Sequence, residues 1–253
     1  MFLNVFKKGF NYSQDGPGNR LVYHFQGCNM RCPWCANPES LAQDGTLISS
    51  LLMGNHVSFT AESVEDMLEE AEDSRPLFFD GGGVTVTGGE PTMQFDALTE
   101  FLKGLKACGI HTAIETNATH PKLSDLFPLL DLLIMDCKHV DDKIHRQTTG
   151  VSNRIVLENI ERAMNEHGNV LIRTALVNGF NADIETAKQF VRFYKQFDTH
   201  STRFELLKYH EYGREKWAAC GLPYQVKSGF ITETLYQDIE NIYKSNNLMV
   251  VRT

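Results

Sequence analysis

The sequence predicts an α/β fold built on a largely parallel sheet, either closed into a barrel or left open and doubly wound. Short β-branched or apolar runs alternate with longer amphipathic segments along nearly the whole chain of 253 residues. The short runs are almost continuously apolar, as expected for parallel strands that are buried on both faces. Roughly six strand–helix units can be counted, fewer than the eight of a complete TIM barrel.

The strands and helices follow from hydrophobic period, β-branched content and stop signals. The predicted strands are LVYHFQG from Leu21, GVTVTGG from Gly83, HTAIET from His111, LLIMDCK from Leu132, VLIRTALV from Val170 and RFELLKYH from Arg203. The predicted helices are SVEDMLEEAED, FDALTEFLKGLKACG, SNRIVLENIERAMNEHG, IETAKQFVRFYKQF and ITETLYQDIENIYKSNN. The segment LMVVRT is a candidate last strand.

A single domain over residues 1–253 is the simplest organisation. A chain of this length with 42% hydrophobic residues can bury one large core. The sequence contains no low-complexity linker and no repeat at a solenoid period. The segment from Leu41 to Thr60 is the least regular and is predicted to be a long loop or excursion.

The net charge and the hydropathy of the chain limit the classes of partner and the cellular location that we expect. A net charge of -8 and a pI near 5.6 make a nucleic acid unsuitable as the main partner. The segment MFLNVFKKGFNYS has no apolar core long enough for a signal peptide, and the apolar run LFPLLDLLIMDC is interrupted by Pro128, Asp131 and Asp136. We therefore expect a soluble, cytoplasmic protein with no membrane partner.

The most informative motif is QGCNMRCPWCANPES, which places Cys28, Cys32 and Cys35 within eight residues. The remaining cysteines stand singly in strand-like and helix-like segments, unlike a secreted disulfide framework: Cys108, Cys137 and Cys220. The three clustered thiols are compatible with a zinc site that lacks one ligand, with a redox site, or with an iron–sulfur site in which one iron has no protein ligand.

These alternatives differ in what else they require. Structural zinc needs a fourth ligand, for which His24 and His56 are the spare candidates. The CPWC portion resembles a thioredoxin-type redox pair of cysteines, but such a pair does not require a third cysteine four residues earlier. A four-iron cluster held by three thiolates leaves one iron open to a substrate or cofactor. The missing fourth cysteine is then the functional feature.

Polar segments also follow the predicted strands where each one ends. These are the cysteine motif, Gly88 to Glu90, Glu115 to Asn117, Asp136 to Lys138, and His210. Ligands of parallel α/β proteins bind at the carboxyl ends of the strands. We therefore expect these five segments to meet at one rim.

The motifs carry a family resemblance. The cysteine spacing, with Trp34 before the last cysteine, resembles that of radical S-adenosylmethionine enzymes, and TGGEP from Thr87 to Pro91 looks like their motif for the cofactor's amino group. Further segments resemble the glycyl-radical-enzyme activating enzymes of the pyruvate formate-lyase type, in order and over nearly the whole chain: DGPGNR, FQGCNMRCPWCANPES, GGGVTVTGGEPTMQ, IETNAT, MDCKHVDDKIHRQTTGVSN, RTALVNGFN and LLKYHEYG.

The resemblance implies a partial (β/α)6 TIM-like barrel of the radical S-adenosylmethionine type. It implies one 4Fe–4S cluster on the three cysteines, with S-adenosylmethionine chelating the open iron. Reductive cleavage of this cofactor would give a 5′-deoxyadenosyl radical, which abstracts hydrogen from a glycine of a partner glycyl radical enzyme. Reduced flavodoxin or ferredoxin would supply the electron to a monomeric protein. No catalytic residue is implied beyond cluster and cofactor.

The resemblance also assigns roles to residues. The implied contacts to S-adenosylmethionine are Trp34, Gly88, Gly89, Glu90, Asn117, Lys138, Arg173 and His210. The implied ligands of a monovalent cation, Na⁺ or K⁺, are Glu115, Thr116 and Asp136. The implied border of the groove for the partner's glycine loop is Asp15, Gly16, Pro17, Gly18 and Arg20.

The chain departs from the family pattern at three places. Ala36 stands where many members carry a histidine, and Ala118 replaces a frequent glycine. The segment from Leu41 to Thr60 contains no cysteine, so no ferredoxin-like insertion and only one cluster are expected. Two other functions stay open: a radical enzyme acting on a small molecule such as a deazapurine precursor, and a zinc-stabilised binding module without catalysis.

Overall fold

The computed structural model describes residues 1–50 and 54–253. Within them lie the strands β1 (Phe2–Tyr12), β2 (Asn19–Phe25), β3 (Leu47–Ser50), β4 (Gly54–Val57), β5 (Thr60–Ser63), β6 (Gly83–Gly88), β7 (Thr112–Thr116), β8 (Leu132–Asp136), β9 (Val170–Leu176), β10 (Thr202–Lys208) and β11 (Met249–Val251). The helices are α1 (Val64–Asp73), α2 (Phe95–Ala107), α3 (Asp142–Thr149), α4 (Arg154–Glu166), α5 (Ile184–Tyr194), α6 (Arg214–Ala219) and α7 (Glu233–Ser245).

The central sheet has nine strands in the order β11-β10-β9-β8-β7-β6-β2-β1-β5. In this spatial order, every pairing between β11 and β2 is parallel. Strand β1 is antiparallel to both of its neighbours, β2 and β5. The edge strands β5 and β11 do not pair with each other, so the sheet is open. The predicted α/β fold with a partial, unclosed barrel is confirmed.

Side chains alternate between the two faces of the sheet, as strand geometry requires. On one face, strand residues pack against the helices in the main core, where Tyr23 of β2 meets Phe101 of α2 edge to face at 5.5 Å. On the opposite face, here called the inner face, Ala113, Leu132 and Leu171 belong to a separate small apolar cluster. The inner face is also polar at β2 and β6, where Arg20 donates to Thr85 at 2.6 Å.

Helix starts follow local capping chemistry. The side chains of Ser63, Asp141, Asp183 and Thr232 each accept a hydrogen bond from a backbone N–H in the first turn of the helix that follows. Such caps satisfy donors that have no partner within the helix. Gly150 ends α3 at a φ of 87°, a left-handed conformation that glycine adopts without strain.

The structure differs from the sequence prediction in several elements. Strands β1 and β5 and helices α3 and α6 were not predicted. In the segment predicted to be a long loop, Leu41 to Thr60, β3 and β4 pair as an antiparallel ribbon, while residues 51–53 lie outside the described residues. Over the described ranges, no helix combines the length and the apolar character that crossing a membrane requires.

Candidate active site

A cavity of about 240 Å³ lies at the carboxyl ends of the parallel strands. The five segments expected to meet at one rim all contribute to it. Its walls are formed by Cys28, Met30, Cys32, Trp34, Cys35, Ala36, Asn37, Thr87, Gly88, Gly89, Glu115, Thr116, Asn117, Asp136, Lys138 and His210. The parallel register of β2, β6, β7 and β8 places these strand ends side by side.

The three clustered cysteines lie in the loop that follows β2, residues 26–37, here called the cysteine loop. Backbone N–H groups point at two of the sulfurs: Met30 N lies 3.4 Å from Cys28 Sγ, and Asn37 N lies 3.4 Å from Cys35 Sγ. Among residues 1–50 and 54–253, no three Cys, His, Asp or Glu side chains are grouped tightly enough to hold a single metal ion. The thiols instead surround a shared space.

Burial sets the protonation of these thiols. It raises the pKa of Cys28 to about 12 and the pKa values of Cys32 and Cys35 to about 11. The positive charge of Lys138 opposes burial at all three sulfurs. Because metal-bound cysteine is a thiolate, iron binding must displace these protons, and Lys138 favours that change.

The cysteine loop is held from outside by α6. Trp217 Nε1 donates to the carbonyl oxygen of Cys35 at 2.9 Å, and Lys216 Nζ donates to Asn37 Oδ1 at 3.1 Å. Gly213 packs so closely that a Cβ there would come within 2.6 Å of the Cys35 carbonyl oxygen. These contacts fix the backbone of the last cysteine.

Two glycines allow the end of β6 to pack closely against the end of β2 and the cysteine loop. Gly88 has a φ of +126°, and a Cβ at Gly88 would overlap the backbone of Phe25. A Cβ at Gly89 would overlap the carbonyl oxygen of Gly27. The backbone N–H groups of Gly89 and Glu90 donate to the carbonyl oxygens of Phe25 and Gly27 at 2.9 and 2.7 Å. Only glycine permits this approach.

Glu90 is fully buried and does not line the cavity. Its carboxylate accepts hydrogen bonds from the Thr116 hydroxyl at 2.7 Å, from Asn117 N at 2.7 Å and from Thr92 N at 3.1 Å. Burial raises the pKa of Glu90, although each of these donors lowers it. Glu90 therefore ties the end of β6 to the end of β7, and its direct contact to a cofactor ammonium stays a prediction that this geometry does not favour.

Glu115 lines the cavity and is held by Arg173. Nη1 of Arg173 lies 2.8 Å from Glu115 Oε1, and Nε lies 2.7 Å from Glu205 Oε2. The Thr87 hydroxyl donates to the other oxygen of Glu115 at 3.2 Å. Burial raises the pKa of Glu115, but Arg173 and Thr87 lower it more, so the pKa is below its usual value. Arg173 itself is buried behind Glu115 and does not line the cavity.

Asp136 and Lys138 form a second ion pair at the cavity wall, with 2.9 Å between Oδ2 and Nζ. Burial lowers the pKa of Lys138, yet Asp136 and the neighbouring cysteines raise it more, so Lys138 is positively charged. Thr116 is turned towards Glu90 and accepts from Ala118 N at 3.0 Å. Of the predicted cation ligands, Glu115 and Asp136 therefore already have cationic partners.

Trp34 and His210 are the two aromatic side chains in the cavity wall. Trp34 packs on Phe180 with ring centroids 4.7 Å apart. His210 stacks on Tyr212 at 4.3 Å, and Tyr212 is 83% exposed. Burial lowers the pKa of His210, which favours the neutral imidazole.

The predicted groove residues Asp15 to Gly18 lie in the turn between β1 and β2, which folds against the inner face. The carbonyl oxygen of Gln14 accepts from Arg173, and that of Asp15 accepts from Thr85 Oγ1 at 2.7 Å. Burial raises the pKa of Asp15, and the nearby Glu115 adds to this. Gly16 and Gly18 adopt φ values of 126° and 66° in this turn, with Pro17 between them.

Arg20 differs from expectation. Its side chain is completely buried, and Nε donates to Thr85 Oγ1 at 2.6 Å while Nη2 donates to the Val84 carbonyl oxygen at 2.7 Å. A direct contact with a partner, predicted from the sequence, is not what this geometry shows. Arg20 instead supports the turn from beneath.

Sequence reasoning missed several residues of the site. Thr87, Asn29, Thr119 and Glu205 contact the predicted residues directly. The signal for Glu205 was present, because a carboxylate inside the apolar run RFELLKYH needs a buried partner. Trp217 and Gly213 gave no comparable signal, since α6 is only six residues long.

Comparison with known proteins adds independent findings. Residues 22–191 match the Radical SAM superfamily. The chain is 34% identical to the pyruvate formate-lyase 1-activating enzyme of Escherichia coli (strain K12), covering 84% of this chain and 82% of that one. It is 35% identical to the pyruvate formate-lyase-activating enzyme of Staphylococcus epidermidis, with 85% and 84% covered. The crystal structure of a domain of pyruvate-formate lyase-activating enzyme from Bacteroides vulgatus superposes with a TM-score of 0.56 at 28% identity, covering 68% of this chain and 98% of that one.

Proposed function

The chain belongs to the radical S-adenosylmethionine superfamily and, within it, to the pyruvate formate-lyase activating enzymes, and from this premise we propose that it installs a glycyl radical on a partner enzyme. The partner is a glycyl radical enzyme, pyruvate formate-lyase or a relative. When bound and reduced, a 4Fe–4S cluster supplies one electron that splits S-adenosylmethionine into methionine and a 5′-deoxyadenosyl radical, which takes a hydrogen atom from a glycine of the partner.

The observation that carries this function is the cavity lined by three cysteine thiols and by the ends of four further strands. The donor set fits a cluster with one open iron: three sulfurs, two of them facing backbone N–H groups, beside the positive charge of Lys138. Soft thiolate ligands suit iron–sulfur clusters. Cys28, Cys32 and Cys35 would therefore hold the cluster.

The remaining walls suit S-adenosylmethionine. Gly88 and Gly89 bring bare backbone to the cavity, where it can accept hydrogen bonds from the cofactor's amino group. Lys138 and His210 offer a cation and a neutral imidazole to its carboxylate or ribose, and Trp34 and Asn117 border the same space. Glu90 and Arg173 act through their neighbours, Glu90 through Asn117 and Arg173 through Glu115.

A monovalent cation, Na⁺ or K⁺, is a further element of this proposal. Glu115 and Asp136 end adjacent strands and both line the cavity, and hard oxygen ligands suit such an ion. Thr116 would join them only after its hydroxyl turns away from Glu90. The ion would add positive charge beside Glu115 and Asp136, whose carboxylates already pair with Arg173 and Lys138.

Hydrogen transfer sets the geometry of the partner. The radical must meet its hydrogen donor at van der Waals distance and away from water, so the partner has to insert a loop into the mouth of the cavity. Glycine suits this because it has no side chain. The turn from Asp15 to Gly18 and the segment after His210 are the proposed borders of this groove.

The proposed assembly is simple. A monomer with a single domain over residues 1–253 carries one cluster and no ferredoxin-like insertion. Reduced flavodoxin or ferredoxin supplies the electron. No nucleic acid and no membrane take part, in keeping with the acidic net charge of -8.

Isotope transfer tests the function directly. Anaerobically reconstituted protein is combined with reductant, S-adenosylmethionine and a glycyl radical enzyme whose glycines carry deuterium at the α-carbon. We expect deuterium in 5′-deoxyadenosine and a carbon-centred radical signal on the partner. The variant Cys32→Ala should lose both, whereas Cys108→Ala, at a partly exposed position outside the cavity, should retain them.

Two other results would contradict the proposed activating function. If no deuterium appears with any glycyl radical enzyme encoded beside this protein, while a deazapurine precursor is turned over, the small-molecule function replaces the activating one. A colourless protein that binds zinc and no iron would leave only the binding module.

A further inference from the structure

A closed ring of hydrogen bonds lies beside Cys28 and is not accounted for by the proposed function. Asn117 Nδ2 donates to Asn29 Oδ1 at 2.9 Å, Asn29 Nδ2 donates to Thr119 Oγ1 at 2.8 Å, and the Thr119 hydroxyl donates to Asn117 Oδ1 at 2.6 Å. The ring fixes both ends of the Asn117 amide. The backbone N–H of Thr119 also donates to Asn117 Oδ1 at 3.1 Å, so this atom must be the oxygen, and the nitrogen lies towards the cysteine loop.

The second hydrogen on Asn117 Nδ2 faces a sulfur. A side-chain amide has two N–H donors, and Asn29 takes only one of them. Nδ2 lies 3.9 Å from Cys28 Sγ, a distance at which an N–H can donate weakly to sulfur. Within the described ranges, Cys28 thus receives a side-chain donor in addition to Met30 N, while Cys35 receives a backbone donor, Asn37 N.

The backbone that presents Asn117 is strained. Ala118 has a φ of 60°, in the left-handed region that L-residues other than asparagine and aspartate rarely adopt. Three hydrogen bonds hold it there: Glu90 accepts from Asn117 N at 2.7 Å, Thr116 Oγ1 accepts from Ala118 N at 3.0 Å, and Asn159 Nδ2 donates to the Ala118 carbonyl oxygen at 2.9 Å. Strain that is held in place from three sides marks a functional constraint.

The ring also separates two spaces. Asn117 and Cys28 face the cavity, whereas Asn29 and Thr119 line a wide groove along α3 and α4 on the far side. The ring is thus the wall between the cavity and solvent at this point. A polar wall at a sulfur ligand can act on the electronic state of a cluster, since hydrogen bonds to the sulfurs and solvent exposure both set reduction potentials.

We propose that Asn117, oriented by Asn29 and Thr119, is a positioning residue that donates a hydrogen bond to the Cys28 sulfur and thereby raises the reduction potential of the cluster. This inference rests on the proposed function, because it requires the cluster. A hydrogen bond to a thiolate ligand stabilises the reduced state, which carries more negative charge. The residue eases the electron transfer on which cofactor cleavage depends.

Potentiometry tests the proposal without measuring activity. Wild type and Asn117→Leu are reconstituted under anaerobic conditions, and the reduced cluster is quantified by electron paramagnetic resonance at controlled potentials in the absence of S-adenosylmethionine. Omitting the cofactor removes any contact between Asn117 and S-adenosylmethionine from the measurement. We expect the midpoint to move to a more negative value, with the reduced-to-oxidised ratio at a fixed potential lowered about threefold, as for the loss of one weak hydrogen bond.

A matched pair at Thr119 keeps the test decisive if Asn117→Leu fails to take up iron. Thr119→Val keeps the shape and removes the hydroxyl, so Asn117 Oδ1 loses its hydrogen bond at 2.6 Å and keeps the one from the backbone N–H of residue 119 at 3.1 Å. The less firmly held amide should move the midpoint in the same direction. Thr119→Ser keeps the hydroxyl and should match wild type. Equal midpoints in wild type and Thr119→Val at full iron content would overturn the inference while leaving the proposed function intact. Failure of wild type itself to bind a cluster would overturn both.

Discussion

Arg173 and Glu115 form an ion pair at the back of the cavity, with 2.8 Å between Nη1 and Oε1 and only 6% of the arginine side chain exposed. Glu205 shares the same guanidinium from the other side. Removing the arginine leaves the buried Glu205 and the partly buried Glu115 without this counter-charge.

We therefore expect Arg173→Met to lower the free energy of unfolding by about 3–5 kcal/mol, as for other broken buried ion pairs. Urea titration of the cluster-free protein measures this change. The control is Arg154→Met, because Arg154 pairs with Glu158 across 3.7 Å on an exposed helix surface. The control should unfold close to wild type, and an equally small effect of Arg173→Met would contradict a structural role for the pair.

His24 predicts a pH dependence of stability. It is partly buried in β2, its Nδ1 has no hydrogen-bond partner in the described structure, and burial lowers its pKa to about 4. The unfolded chain titrates near the ordinary value of 6.5. Since the unfolded state binds the proton first, stability falls as the pH drops from about 6.5 towards 4.

Between pH 6.5 and pH 5, this one residue should cost about 1.5 kcal/mol of unfolding free energy. The variant His24→Phe cannot titrate, so its unfolding free energy should decline less over the same interval, by that amount. Chemical denaturation of both proteins at the two pH values gives the comparison. Parallel pH profiles would show that folding leaves the pKa of His24 unchanged.

Gly213 predicts that the cysteine loop depends on α6. A methyl group there would come within 2.6 Å of the Cys35 carbonyl oxygen, so either the helix or the loop has to move. We expect Gly213→Ala to bind less iron on reconstitution and to lose about 1–3 kcal/mol of stability through overpacking. Gly168→Ala is the control, because a Cβ at Gly168 meets nothing within 4 Å. Full iron content in Gly213→Ala would show that the loop does not need this contact.

The parallel half of the fold could be predicted because its strands are short, largely apolar runs, and amphipathic helices lie between most of them. The antiparallel strand β1 could not, since FLNVFKKGFNY carries Lys7, Lys8 and Gly9 in its middle and is mostly exposed. The pairing of β1 with β2 and β5 is determined by tertiary contacts, which the local sequence pattern does not reveal. Helix α6 was missed for a similar reason, because six residues are too few to show a helical period.

The positions of the site residues were predictable where the chemistry lies at strand ends. Cys28, Gly88, Asp136 and Lys138 all line the cavity as expected. Orientation was not predictable: Glu90 lies just beyond the end of β6 and Arg173 lies in the middle of β9, and both are buried behind the wall and act on other residues. Which side of a wall a charged residue occupies depends on partners such as Thr116 and Glu205, which are distant in sequence.

Asp136 allows the proposed cation to be separated from a simple ion pair. The carboxylate lies 2.9 Å from Lys138 Nζ, so Asp136→Asn removes a charge partner of Lys138 in any case. Charge-assisted hydrogen bonds of this kind are worth about 1.5–3 kcal/mol, so the affinity of cluster-loaded protein for S-adenosylmethionine should fall roughly tenfold or more. The iron content should be nearly unchanged, because the proposed cluster ligands are the three cysteine thiols and Asp136 is not one of the ligands.

The choice of salt decides between the two explanations of that loss. If Glu115 and Asp136 hold a monovalent cation, wild-type affinity for S-adenosylmethionine should differ between sodium and potassium buffers, because the two ions differ in size and in the ligand distances they require. Asp136→Asn should then abolish the difference. If Asp136 serves only to hold Lys138 in place, the affinity of wild type and variant should each be the same in both salts, and the drop between them should persist. Equilibrium binding of the cofactor to both proteins in matched sodium and potassium buffers, with equal iron content, therefore retains or eliminates the cation site.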